Sequence, residues 1–105
     1  MVFKVEYSDP AALDLAEIIK YIKDELSNPQ AAERFFNMVE QRLVDLREHP
    51  YKFPLYHNER LSEEGTRFVV VGNYIMFYIV DDINKIVTIA RIVYGKQDIP
   101  AVFGQ

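Results

Sequence analysis

The chain has 105 residues, with 12 Lys and Arg against 16 Asp and Glu, a formal net charge of −4 and no cysteine. A composition that is 50% hydrophobic and 27% charged excludes a disordered chain, and the length fits one domain, 1–105, rather than two. The missing cysteine excludes disulfides, thiol nucleophiles and Cys-rich zinc sites, and the acidic balance argues against holding nucleic acid by bulk charge.

The first ten residues, MVFKVEYSDP, carry a Lys inside the apolar stretch, so no secretory leader is expected there. The longest apolar run, Tyr74 to Val80, has strand length, far from the roughly 20 residues of a membrane span. The expectation is a cytoplasmic protein with no membrane partner. Residues 2–7 contain Phe3-Lys4-Val5-Glu6-Tyr7, an alternation that predicts a half-buried strand. Asp9-Pro10 reads as a helix cap followed by Pro at the first helical position, where the missing N–H costs nothing. Leu15, Ile18, Ile22 and Leu26 then recur at helical spacing. Ser27-Asn28-Pro29 ends that helix and starts another, whose stripe is Ala32, Phe35, Phe36, Val39, Leu43 and Leu46. Residues 10–48 are thus predicted to be a helical hairpin with a very short turn.

Residues 49–66, with two prolines and three aromatics, predict an ordered but irregular loop. Strands are predicted at 67–71, 74–80 and 86–93, with Gly72-Asn73 as the hairpin turn between the first two. The tail 95–105 contains the apolar run Ile99-Pro100-Ala101-Val102-Phe103. It either docks on its own domain or meets a partner, because a floating apolar tail would be sticky. The order β-α-α-β-β-β predicts an α+β fold: the helical hairpin on one face of a mostly antiparallel four-stranded sheet. Residues 1–48 hold six basic and ten acidic side chains, and 49–105 hold six of each, so the acidity belongs to the hairpin.

No metal site and no cofactor are expected. His49 and His57 fall in no ligand spacing, Asp81-Asp82 reads as a solvated turn, and the four glycines build no phosphate loop. Ser8, Ser27 and Ser62 sit on no nucleophile elbow. What remains is cationic and phenolic. Arg91, in its strand with Val87, Ile89 and Val93 on its own face, needs an anionic partner: a carboxylate of this chain, or a phosphate or acidic group of another molecule. With Arg67, Tyr94 and Lys96 it would make a set able to cleave RNA without a metal, by general acid–base action and charge stabilisation of the phosphate.

Three stretches carry a family resemblance: Asp14-Leu15-Ala16-Glu17-Ile18-Ile19-Lys20-Tyr21-Ile22; Ala31-Ala32-Glu33-Arg34-Phe35; and Leu46-x-x-x-Pro50. The most telling pieces are Arg67, then Tyr74-x-x-Phe77-Tyr78-x-Val80-Asp81, then Ile89-x-Arg91-Ile92-Val93-Tyr94-Gly95-Lys96-x-Asp98. Together they make the chain similar, over nearly its whole length, to the RelE/ParE superfamily of bacterial toxins. The resemblance implies the growth-arresting half of a type II toxin–antitoxin module, partnered by a cognate antitoxin as a homodimer or a heterotetramer. It implies one of two targets. ParE-like plasmid-stabilisation members inhibit DNA gyrase without being enzymes; RelE-like members are metal-independent endoribonucleases acting on mRNA at the ribosome. In the second case Arg67, Arg91, Tyr94 and Lys96 would be catalytic. Lys52, Arg60, Ile99, Val102 and Phe103 are the candidates for antitoxin or target binding. Two departures favour the ParE-like branch: the chain is acidic, and the position often held by His is Tyr94, where a phenol is a poorer base than an imidazole. A third reading is a non-toxic member that only binds an antitoxin.

Overall fold

A computed structural model of the chain describes residues 2–104; Met1 and Gln105, the ends of the expected 1–105 domain, lie outside the described residues. In chain order it runs through strand β1 (Lys4–Tyr7), helix α1 (Asp9–Lys20), a π-helical turn (Tyr21–Glu25), helix α2 (Pro29–Glu48) and a short helix α3 (Glu59–Glu63). Strands β2 (Arg67–Val71), β3 (Tyr74–Asp81) and β4 (Ile86–Tyr94) follow, and then a last short helix α4 (Ile99–Val102).

The helical hairpin starts from a local hydrogen bond. Ser8, not Asp9, is the cap: its Oγ accepts the Ala11 N–H at 3.1 Å, and Asp9 becomes the acidic residue of the first turn. Between the two helices the chain widens into the π-turn, with the Leu26 N–H on the Tyr21 carbonyl at 3.2 Å, and Ser27 takes a left-handed φ of 48°. Asn28 then caps α2 by accepting the Ala31 N–H at 3.1 Å. The predicted irregular stretch 49–66 holds α3, capped by Asn58 on the Leu61 N–H at 3.1 Å. The tail holds α4, with Pro100 in its first turn.

The sheet order is β1-β4-β3-β2, with β1 parallel to β4 and the other pairs antiparallel. The predicted mostly antiparallel sheet is therefore a mixed one. The reason is connectivity: β1 leaves through the helices before β4 arrives beside it, a crossover of the kind that parallel neighbours require. The hairpin α1–α2 covers one face, over a cluster of 16 buried residues among those described, including Val39, Leu46, Met76, Tyr78, Val87 and Ile89. A smaller cluster on the opposite face joins Phe77 and Val93 to Leu61 of α3 and Ile99 of α4.

One irregularity changes which face a key residue occupies. Phe77 pairs with Arg91 but Tyr78 pairs with Ile89, so Ala90 is the extra residue of a β-bulge. Ser8 pins it: the hydroxyl donates to the Ala90 carbonyl at 2.8 Å, and the Ser8 N–H to the Ile89 carbonyl at 2.9 Å. Strict alternation groups Arg91 with Val87 and Ile89. The bulge instead leaves those two facing the helices and turns Arg91 to the side of Phe77 and Val93.

Candidate functional site

Asp14 and Glu17 of α1, and Tyr21 at the start of the π-turn, follow one another at helical spacing beside the end of β4, where Arg91 and Tyr94 emerge. Together they border a hollow of about 290 Å3. Asp14 organises it. Its Oδ2 accepts Arg91 Nε–H at 2.7 Å and the Ile92 N–H at 2.9 Å, while its Oδ1 accepts Arg91 Nη2–H at 2.9 Å. Arg91 also donates to the Val102 carbonyl at 3.4 Å. The hydrogen bond that Arg91 donates to Asp14 raises the guanidinium pKa, outweighing desolvation, with the charges of Asp14 and Glu17 adding to it. The arginine's partner is thus a carboxylate of this chain, in a two-pronged geometry that favours a planar fork.

Beside this pair lies an aromatic group. Tyr94 pairs across the sheet with Tyr74, the rings edge-to-face at 5.8 Å between centroids, and Tyr74 also meets Phe35 at 5.1 Å. Burial raises the Tyr74 phenol above its ordinary value, and the phenols of Tyr21 and Tyr94 push it the same way.

The other predicted residues are dispersed. Arg67 pairs with Tyr78, on the helix-facing side of the sheet, and so opposite to Arg91. Its Nη1 donates to the Phe53 carbonyl at 2.7 Å and its guanidinium lies 5.0 Å from the Tyr51 ring centre. Lys52 sits near Asp45 at 3.8 Å and over the Phe53 ring at 5.4 Å. Lys96 is exposed in the turn after β4. Arg60 donates to the Phe103 carbonyl at 2.6 Å, so it clasps the tail to α3. Ile99 is buried, Val102 and Phe103 pack against the same cluster, and Phe103 meets Phe77 edge-to-face at 5.1 Å. The tail therefore docks on its own chain.

Of the catalytic candidates, then, only Arg91 and Tyr94 share a hollow. Asp14, Glu17, Tyr21 and Tyr74 complete it and were not singled out in sequence. The available signal was a carboxylate one residue before Leu15 of the buried stripe, on the helix that follows a short first strand. His57 lies against Tyr56, ring centres 4.3 Å apart, and His49 ends α2. Asp81 accepts from Asn84 and Ile83 in its turn, and the Asn84 side chain in particular lowers its carboxyl pKa. Among the described residues no group of three or more His, Asp or Glu is placed to hold a metal ion, and no helix is long and apolar enough to cross a membrane.

The fold recurs in solved structures. A toxin–antitoxin chain of the chromosomal ParDE system of P. aeruginosa superposes with a TM-score of 0.70 at 16% identity, covering 89% of this chain and 96% of that one. A chain of the Mycobacterium tuberculosis RelBE2 complex gives 0.64 at 23% identity, covering 90% and 99%. One of the archaeal RelE–RelB complex of Pyrococcus horikoshii OT3 gives 0.59 at 15%, covering 92% and 99%. These likenesses define the fold as that of RelE/ParE toxins. The family model of the ParE toxin of type II toxin–antitoxin systems, parDE, matches residues 5–99, and the chain belongs to that family. No curated protein matches it by sequence.

Proposed function

We propose that this toxin arrests growth by binding and inhibiting DNA gyrase in the cytoplasm, without catalysis of its own, and that a cognate antitoxin neutralises it. The observation that carries the reading is the placement of the two arginines. RNA cleavage needs cations converging on one phosphate. Arg67 and Arg91 lie on opposite faces of the sheet, and Arg91 is already matched by Asp14 in a two-pronged ion pair. The guanidinium nearest Tyr94 is therefore engaged within the chain rather than open to a phosphate. Partnership with an antitoxin is supported by the solved relatives, which are toxin–antitoxin complexes.

The test compares two assays on the purified toxin. Gyrase supercoiling is expected to be blocked at micromolar toxin, while ribosome-bound mRNA stays intact. Tyr94→Phe, which removes a phenol and keeps the ring, is expected to leave gyrase inhibition within about twofold. Untouched supercoiling together with mRNA cut at the ribosome overturns the proposal in favour of an endoribonuclease. Induction that arrests nothing overturns it in favour of a chain that only binds antitoxin.

A further inference from the structure

Three hollows meet along one seam beside the π-turn, and Tyr21 lines all of them. The largest, about 680 Å3, is walled by Tyr21, Tyr74, Tyr94 and Leu26. Tyr21 and Leu26 are 50% and 56% exposed, an unusual amount of apolar and aromatic surface to leave in water side by side. The neighbouring hollow across Tyr21 is acidic: Glu17, Asp24 and Glu25 line it against the single Lys20. Among the described residues neither Asp24 nor Glu25 is engaged in an ion pair. The net charge of −4 on residues 1–48 points the same way.

An aromatic floor with an acidic flank selects its occupant by charge. A tyrosine face attracts a cation that lies over it, and nearby carboxylates strengthen the attraction. A second copy of this chain would bring the same carboxylates against themselves in a twofold contact, and nucleic acid would be repelled.

The geometry points to this groove as the docking site of a basic, apolar segment of the antitoxin, with a Lys or Arg laid across the tyrosines toward Glu17 and Asp24 and an adjacent apolar side chain against Leu26. This deepens the reading above and rests on its antitoxin half. It assigns the partner a chemistry: the segment that seats here is cationic, not acidic.

The test takes the full-length toxin and the purified product of the antitoxin reading frame beside its gene, with affinities measured over a range of salt. Tyr21→Ala is expected to weaken binding by about tenfold or more. The double variant Asp24→Asn, Glu25→Gln is expected to weaken it at low salt and to flatten its salt dependence. Both changes are at exposed positions, so thermal melts are expected to match the parent. Overlapping antitoxin peptides are expected to give one binder containing Lys or Arg, which loses affinity when that residue becomes citrulline. Tight parental binding that both variants retain overturns the groove and leaves the antitoxin reading standing. No complex with the parent overturns both. Self-association lost in Tyr21→Ala with antitoxin affinity unchanged makes the occupant a second copy and overturns the proposal.

Discussion

Asp14 substitutes for a strand. β1 stops at Tyr7 while β4 runs on to Tyr94, so past Ser8 the edge of β4 has no backbone neighbour. The Asp14 carboxylate crosses from α1 to accept the Ile92 N–H there and holds Arg91 with its remaining lone pairs. Removing it strands a largely shielded N–H and a guanidinium together. Asp14→Ala is expected to cost about 2 kcal/mol in urea denaturation at neutral pH, and Asp14→Asn, which keeps one acceptor, about 1 kcal/mol. A loss for Asp14→Ala within error of zero would show the pair to be solvated and energetically idle. Tyr78 presents the opposite situation, a neutral group kept neutral. It is fully buried, donates to the Pro50 carbonyl at 2.8 Å, and burial pushes its phenol up to about 12 against the opposing charge of Arg67. The folded value thus lies above the unfolded value of about 10. Below pH 10 both states hold the proton and the contribution is complete. Between about 10 and 12 the unfolded chain releases it first, so stability falls by about 1.4 kcal/mol per pH unit for this one group. Tyr78→Phe is expected to show a shallower alkaline loss in denaturation curves from pH 9 to 11, with about 1 kcal/mol less stability at neutral pH. An alkaline limb as steep as the parent's would assign the titration to other tyrosines.

At the scale of elements, the two short helices behave as clamps. α4 closes the outer face of the sheet: Ile99 is buried with Phe77 and Val93, and Arg60 of α3 ties down the Phe103 carbonyl. Ile99→Ala is expected to cost about 2 to 4 kcal/mol of local stability, read as faster amide exchange in α4 and α3. Unchanged exchange there would mean that the arginine clasp alone holds the tail. These clamps also mark where the sequence is hard to read. The three hairpin-linked strands and both long helices follow from period-2 and helical stripes, and from Pro after a capping residue. α3 spans five residues around one buried side chain, Leu61, too short for any periodicity to register. α4 did carry a signal, Asp98 before Ile99-Pro100, resembling the start of α1. The bulge at Ala90 had none, because it exists only in the pairing with Phe77 and Tyr78 and in the hydrogen bond from Ser8, 82 residues away. That single residue decides which face Arg91 occupies. So Arg91 and Tyr94 could be named as interesting from sequence, whereas their companions Asp14, Tyr21 and Tyr74 could not. Those meet only when α1 docks on the sheet.

For the whole molecule, the two faces of the sheet are unequal. Among the described residues, sixteen buried side chains form the cluster under the long helices, and five form the one beneath α3 and α4. The strands β3 and β4 belong to both, contributing Met76, Tyr78 and Ile89 to one face and Phe77 and Val93 to the other. Burial supplies most of the favourable free energy, so the smaller cluster is the cheaper to open. The expected order of native-state hydrogen exchange is therefore α4 first, then α3, with the amides of β3, β4 and α2 opening only in global unfolding. The ordering has a functional edge. The seam at Tyr21, Tyr74 and Tyr94 is built on the strongly packed side, by the π-turn against β3 and β4, so loosening the tail leaves it assembled. Ile99→Ala is thus expected to speed exchange in the tail while leaving antitoxin affinity within about twofold of the parent. A variant that loses antitoxin binding in step with tail protection would show that the outer face, rather than the tyrosine seam, carries the interface.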